Sequence, residues 1–140
     1  MDGGGLSLAL EELARATSSQ TGMSVAFYET GDIRVADPED GMHLYRIAQE
    51  ALNNAAKHGG ARKVTIVLNQ SADSLRLAVA DDGQGMPPSP NGARGMGLDS
   101  MRYRARALRG ELKIDSPAGE GTVVSCEIPN HPPRPAAAAS

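Results

Sequence analysis

Apolar residues along this 140-residue chain recur at different spacings, and each change of spacing marks an element. At about 100° per residue, Leu44, Ile47, Ala48, Ala51, Leu52 and Ala55 fall on one side of a helix, while Arg46, Glu50, Asn53, Asn54 and Lys57 fall on the other. The same period at Leu6, Ala9, Leu10 and Leu13, with Glu11 and Glu12 outside, predicts a helix over 6–16 that ends in the polar run 17–22. Leu98, Met101, Ala105 and Leu108 predict another over 98–108, with Gly110 as its stop. Elsewhere the period is two. Val64, Ile66 and Leu68, then Leu75, Leu77 and Val79, predict a hairpin around the polar turn 69–74. A second hairpin is expected from 111–116 and 122–128, around Pro117-Ala118-Gly119-Glu120-Gly121. Residues 23–28 alternate loosely as a strand, and 32–36 is expected to add a short edge strand after the Gly31 turn.

The central helix has an explicit start and stop. Asp37 is suited to cap it, Pro38 needs no amide partner at the first helical position, and Glu39 and Asp40 meet the positive helix end. At about His58 the pair Gly59-Gly60 supplies a left-handed stop. Residues 86–94, with Pro87, Pro88, Pro90 and Gly92, cannot form regular structure and read as a short mobile loop. Residues 1–5 read as a flexible leader and 130–140 as a low-complexity, disordered tail, leaving 6–129 as a single domain. The expected fold is an α/β (α+β) two-layer sandwich, a mixed sheet with three helices on one face.

Composition narrows the function. With no Trp, one Phe and three Tyr, the core must be built from Leu, Val, Ile, Met and Ala. A net charge of −3 argues against nucleic acid as a partner. The basic residues Arg102, Arg104, Arg106 and Arg109 cluster on one predicted helix, where a solvated face is the simpler reading than an acidic partner. Cys126 is the only cysteine, which excludes an internal disulfide or a cysteine-based zinc site and fits a reducing, cytoplasmic compartment. No apolar run approaches the roughly 20 residues of a membrane span, so no membrane contact is expected of this segment.

The polar stripe of the central helix is unusual, because asparagine is a mediocre helix former and two stand side by side in its interior. They either face water or do chemistry. Further along come Asp81-Asp82-Gly83-Gln84-Gly85 and Gly95-Met96-Gly97-Leu98. An Asn-bearing helix, a hairpin, a DxGxG turn and a GxGL loop opening a helix stand in the order of the N, G1 and G2 boxes. The chain thereby resembles the ATP-binding domain shared by gyrase, the 90-kDa heat-shock chaperone, sensor histidine kinases and MutL. Its Arg46–His58 run, RIAQEALNNAAKH, looks like the nitrate-sensor branch of bacterial histidine kinases.

That resemblance implies ATP and Mg2+ as ligands and gives the residues roles. Asn54 would ligate magnesium and contact ATP, with Asn53 its solvated neighbour. Glu50, four residues earlier on the same helix face, would act as general base or orient the metal's water. Lys57 and His58 would contact phosphates. Asp81 would accept the adenine amino group, discriminating against guanine, whose carbonyl would leave two acceptors facing each other. Asp82 reads as a turn residue. Gly83 and Gly85 would let the backbone take left-handed angles near the base. Gly95 and Gly97 would hinge the loop, the amides of Gly97 and Leu98 would meet the phosphates, and Thr122, after Gly121, would hold an adenine-side water.

None of His43, His58 and His131 lies in a sequence like a kinase's phosphoacceptor motif. The resemblance therefore implies the catalytic domain of a two-component sensor histidine kinase, transferring the γ-phosphoryl to a histidine on a separate dimerisation domain and serving a response regulator downstream. Two other readings stay open: a stand-alone serine kinase of the anti-sigma-factor type, and a nucleotide-binding regulatory module without turnover.

Overall fold

A computed structural model describes residues 3–35, 37–84, 97–116 and 120–130. Their elements run α1 (Gly3–Thr21), β1 (Ser24–Thr30), α2 (Pro38–Asn54), a π-helical turn (Ala55–Gly59), β2 (Lys63–Gln70), β3 (Ser74–Asp81), α3 (Leu98–Ala107), β4 (Glu111–Asp115) and β5 (Thr122–Pro129). The five strands form one mixed sheet in the order β1-β2-β3-β5-β4, with β1 and β2 parallel and every other pair antiparallel. Both expected hairpins are present, β2 with β3 and β4 with β5.

The two-residue alternation decides which face is covered. Val64, Ile66 and Leu68 of β2, Leu75, Leu77 and Val79 of β3, and Val124, Cys126 and Ile128 of β5 are buried in one cluster with the apolar stripes of all three helices. Leu6, Leu10 and Ala14 come from α1, Leu44, Ile47, Ala48 and Ala51 from α2, and Met101, Ala105 and Leu108 from α3. Asp37 caps α2 as its sequence suggests: its carboxylate accepts from the Glu39 amide at 2.9 Å, and Pro38 opens the helix.

Several boundaries differ from expectation. The first helix begins at Gly3, inside the expected leader, and continues through the polar run to Thr21. Hydroxyls hold that last turn: Thr21 Oγ1 donates to the Thr17 carbonyl at 2.7 Å and Ser18 Oγ to the Met23 carbonyl at 2.6 Å, before Gly22 turns the chain at φ 80°. Residues 32–35 are not a strand. Gly31 presses against the Gln70 carbonyl, and the Arg34 amide donates to the Gln70 side chain at 3.1 Å, so this segment is tied to the end of β2 rather than to an edge. The central helix changes to π geometry after Asn54, and Gly60, at φ 59°, makes the left-handed turn out.

At the end of α3 the left-handed residue is Arg109, at φ 56°, not Gly110. The Arg109 amide bonds the Arg106 carbonyl at 3.0 Å and the Gly110 amide the Ala105 carbonyl at 2.9 Å, a Schellman pair. Gly110 is needed for another reason: a β-carbon there would meet Ile128 Cγ2 at 2.5 Å and the Glu127 carbonyl at 2.9 Å. Arg102, Arg106 and Arg109 are exposed, whereas Arg104 is half-buried and meets His43 Nδ1 of α2 at 3.2 Å. No helix among the described residues is long and apolar enough to cross a membrane. The loop 86–94, residues 1–2, 117–119 and the tail from 131 lie outside the described residues.

Candidate functional site

Two groups of predicted site residues assemble at one end of the sheet. The first gathers on Asp81, the last residue of β3. Register places Asp81 opposite Val64 of β2 and Thr122 of β5. Its carboxylate accepts the Gly83 amide at 2.8 Å, an Asx turn, and also bonds the Thr122 amide. Half-burial pushes its pKa up, and the neighbouring Asp82 charge adds to this, while the two amides pull the other way. Gly121, at φ 87°, lies so close that a β-carbon there would overlap the Asp81 carbonyl oxygen, so only glycine lets the loop before β5 approach. Thr122 is 7% exposed, and its hydroxyl shares a 2.8 Å hydrogen bond with Ser116 Oγ at the end of β4.

Gly83 corrects an expectation. Among the described residues positive φ occurs at Gly22, Gly31, Gly60, Gly97, Gly121 and Arg109, so the part of Gly83 is its amide rather than a left-handed backbone. Asp82 is likewise more than a turn residue. Its Oδ1 accepts the amides of Arg62 at 2.8 Å and Lys63 at 2.9 Å, and its own amide returns to the Lys63 carbonyl. Those amides, Lys63's first, hold its pKa below the ordinary carboxylate value. Residues 60–62 are the chain leaving the π turn, so Asp82 fastens the exit of α2 to the exit of β3.

The second group lies on α2 and the start of α3. Glu50 and Asn54 stand one turn apart and are both half-buried, while Asn53 and Lys57 are exposed. Gly97, at φ 72°, is the N-cap of α3, and a β-carbon there would fall on the Glu50 carboxyl, 2.6 Å from its Cδ. The Asn-bearing helix and the second glycine box thus meet through these two residues. Leu98 is buried, so only its amide could face a ligand. Gly85, Gly95 and the side chain of His58 lie outside what the structure describes.

A carboxylate held by two amides at a strand end, beside a small-residue approach, suits a hydrogen-bond donor on a flat base. A helix N-terminus next to a carboxylate and a carboxamide suits an anion with a hard cation. Among the described residues no group of three or more His, Cys, Asp or Glu could hold a metal. A magnesium ion would fit the donor set only with phosphate oxygens and water completing the shell around Asn54.

Residues 39–132 match the family described as histidine kinase-, DNA gyrase B- and HSP90-like ATPases. The chain belongs to this family. All of α2 but its first residue, the Asp81 turn and α3 fall within the matched span. The sensor histidine kinase LiaS of Bacillus subtilis is 40% identical over 90 residues, covering 64% of this chain and 25% of that protein. The nitrate/nitrite sensor protein NarX of Escherichia coli is 33% identical over 120 residues, 86% of this chain and 20% of that protein. This chain therefore spans a quarter or less of these two relatives. The ATP-binding domain of PrrB from Mycobacterium tuberculosis superposes with a TM-score of 0.74 over 94% of this chain and 96% of that one, at 19% identity, and shares the fold. The chain is accordingly an ATP-binding domain of the kind found in sensor histidine kinases.

Asp82 and Ser116 were not legible as site residues. For Asp82 a signal existed, because the hairpin register that pairs Val64 with Asp81 sets Asp82 beside Lys63. For Ser116 one existed too, because the expected hairpin of 111–116 with 122–128 sets it opposite Thr122.

Proposed function

We propose that this chain binds Mg-ATP and donates its γ-phosphoryl to a histidine on a dimerisation domain outside the segment, as the catalytic domain of a cytoplasmic two-component kinase that serves a response regulator. The observation that carries the reading is Asp81, held at the strand end by the amides of Gly83 and Thr122 with its carboxylate half-buried. Such an acceptor fits the adenine amino group, and burial makes a mismatched carbonyl costly.

The triphosphate would extend toward Gly97 and Leu98, whose amides open α3, with Lys57 contributing charge from the π turn. Magnesium, when bound, neutralises phosphate charge, and Asn54 is the residue that would hold it. The attacking imidazole forms a bond from one nitrogen to the γ-phosphorus as the bond to the β–γ bridging oxygen breaks and ADP leaves. In this reading Glu50 would accept the proton carried by the other nitrogen, and most of the remaining catalysis is positioning. His58, Gly85 and Gly95 complete the proposed ATP contacts.

The test is to incubate the chain with γ-labelled ATP and a separately purified dimerisation domain from the same protein. Acid-labile, base-stable label on that domain supports the proposal. Absence of transfer, with both parts folded, refutes it.

A further inference from the structure

We infer that the outer edge of β4, with the arginines of α3 standing over it, takes an acidic, extended protein segment as an additional strand. The inference goes beyond the ATP reading and needs no nucleotide.

One flank of α3 faces α2, where Arg104 meets His43 Nδ1 at 3.2 Å. At about 100° per residue, Arg102, Arg106 and Arg109 lie about 140–160° round the helix from Arg104, on the flank away from α2. All three are exposed, and none meets a carboxylate among the described residues, where the one ion pair joins Arg34 to Asp32. Arg106 is also four residues from Arg102 and three from Arg109, so like charges are stacked along one side of the helix. Such neighbours repel, and an anion relieves the repulsion.

The strand on that flank is β4, which ends the order β1-β2-β3-β5-β4 and packs against α3. With β5 on one side only, it leaves a row of backbone N–H and C=O groups on the other. Its two faces differ. Leu112 and Ile114 turn to the helix layer and are half-buried against the core, while Glu111, Lys113 and Asp115 are exposed on the opposite face.

These features specify the occupant. An added strand hydrogen-bonds to the edge whatever its sequence, so its side chains decide specificity. Those on the helix side would meet the arginines. Acids at alternate strand positions stand about 6.6 Å apart, close to the roughly 6 Å of helix rise from Arg102 to Arg106, and each guanidinium can take a carboxylate with two parallel N–H donors. On the other face a lysine would sit beside Glu111 or Asp115. A second copy does not fit, because antiparallel pairing of two β4 edges would set two groups of arginines against each other on one side of the sheet. Three arginines also fall short of the polybasic clusters that hold anionic lipid.

Calorimetry and amide hydrogen exchange on the whole chain test this with a capped peptide of about seven residues, Glu at every other position and Thr and Lys between. The expected result is binding that weakens as salt rises, with slower exchange of the β4 amides in the complex. The same residues in block order cannot turn every carboxylate to one face and should bind about tenfold more weakly. Arg102→Glu combined with Arg106→Glu should lose about tenfold or more, with Tm near that of the wild type. No binding of the alternating peptide overturns the inference. So does equal binding of the block-order peptide, or binding without exchange protection in β4, either of which reduces the arginines to a general attraction for anions. Dimerisation of an Arg102→Ser, Arg106→Ser variant whose wild-type parent ignores the peptide overturns it as well, since the arginines then only guard the edge, and so does capture of the chain by phosphatidylserine vesicles in place of the peptide.

Discussion

The backbone of Gly97 and the carboxyl of Glu50 occupy adjoining space so tightly that no side chain fits at position 97 without moving Glu50, whose Cδ would lie 2.6 Å from a β-carbon there. This contact joins the Asn-bearing face of α2 to the first turn of α3. Gly97→Ala would face two costs: a left-handed φ of 72° for a residue with a β-carbon, and displacement of the carboxyl. We expect a loss of about 1–2 kcal/mol in stability and weaker nucleotide binding. Thermal melts and titration of the variant check this; unchanged values in both would contradict the contact.

Glu50→Gln separates binding from chemistry. The amide keeps the shape of the side chain but cannot take a proton, so phosphotransfer should fall about 10²- to 10⁴-fold while ATP affinity changes little. A parallel loss of both would mean that Glu50 holds the ligand rather than the proton.

Asp81 and Asp82 titrate in opposite senses. The Asp81 pKa is raised in the fold, chiefly by burial, so it takes up a proton above pH 3.8, where ordinary carboxylates are still ionised. With the ionised form as the proposed acceptor for the adenine amino group, ATP affinity should begin to fall as pH drops into that window. The linked effect on stability has the other sign: protonating Asp81 favours the folded state. A titration series from neutral to acid pH, set beside a chemical-denaturation series, reads both.

For Asp82 the folded pKa is depressed below 3.8 by the amides of Lys63 and Arg62. Its stabilisation is present above the unfolded value and is lost as pH falls through the folded one. Asp82→Ala should lower Tm at neutral pH and lose that difference in strong acid, since the wild-type carboxylate is then protonated as well. A pH-independent Tm difference would contradict the clamp.

In the core, Leu44 is fully buried on α2, and Leu44→Ala is expected to cost about 2–5 kcal/mol. Denaturant unfolding measures it. Cys126, also fully buried, has its thiol pushed up to about 11 by desolvation and should stay unmodified by alkylating reagents in the native state.

Much of this fold was written in periodicity. Strict alternation from Val64 to Leu68 and from Leu75 to Val79 located β2 and β3, and Asp37-Pro38 located the start of α2. What escaped detection depended on groups that meet only in three dimensions. The hydroxyls of Thr21 and Ser18 extend α1 through a run that reads as a terminator. Gln70 holds residues 31–34 out of strand geometry. The left-handed residue closing α3 is Arg109 because Gly110 is reserved for its approach to β5. The change to π geometry at Ala55 has no signal in Ala-Ala-Lys-His-Gly. For the site, the order of the three motifs pointed to Glu50, Asn54, Asp81 and Gly97, whose side chains or backbone do lie at one end of the sheet. Asp82 bonds the amides of Arg62 and Lys63, and Ser116 bonds Thr122, contacts that hairpin register carries and motif spacing alone does not.

The most direct test is a calorimetric titration of Mg-ATP, with GTP as control, into this chain and into Asp81→Asn. The expected result is binding of ATP and not GTP by the wild type, and an affinity reduced about 10- to 100-fold in the variant, as befits a lost hydrogen bond to a charged acceptor. Absence of ATP binding by the wild type, or equal binding by Asp81→Asn, would contradict the assignment of Asp81 as the adenine anchor.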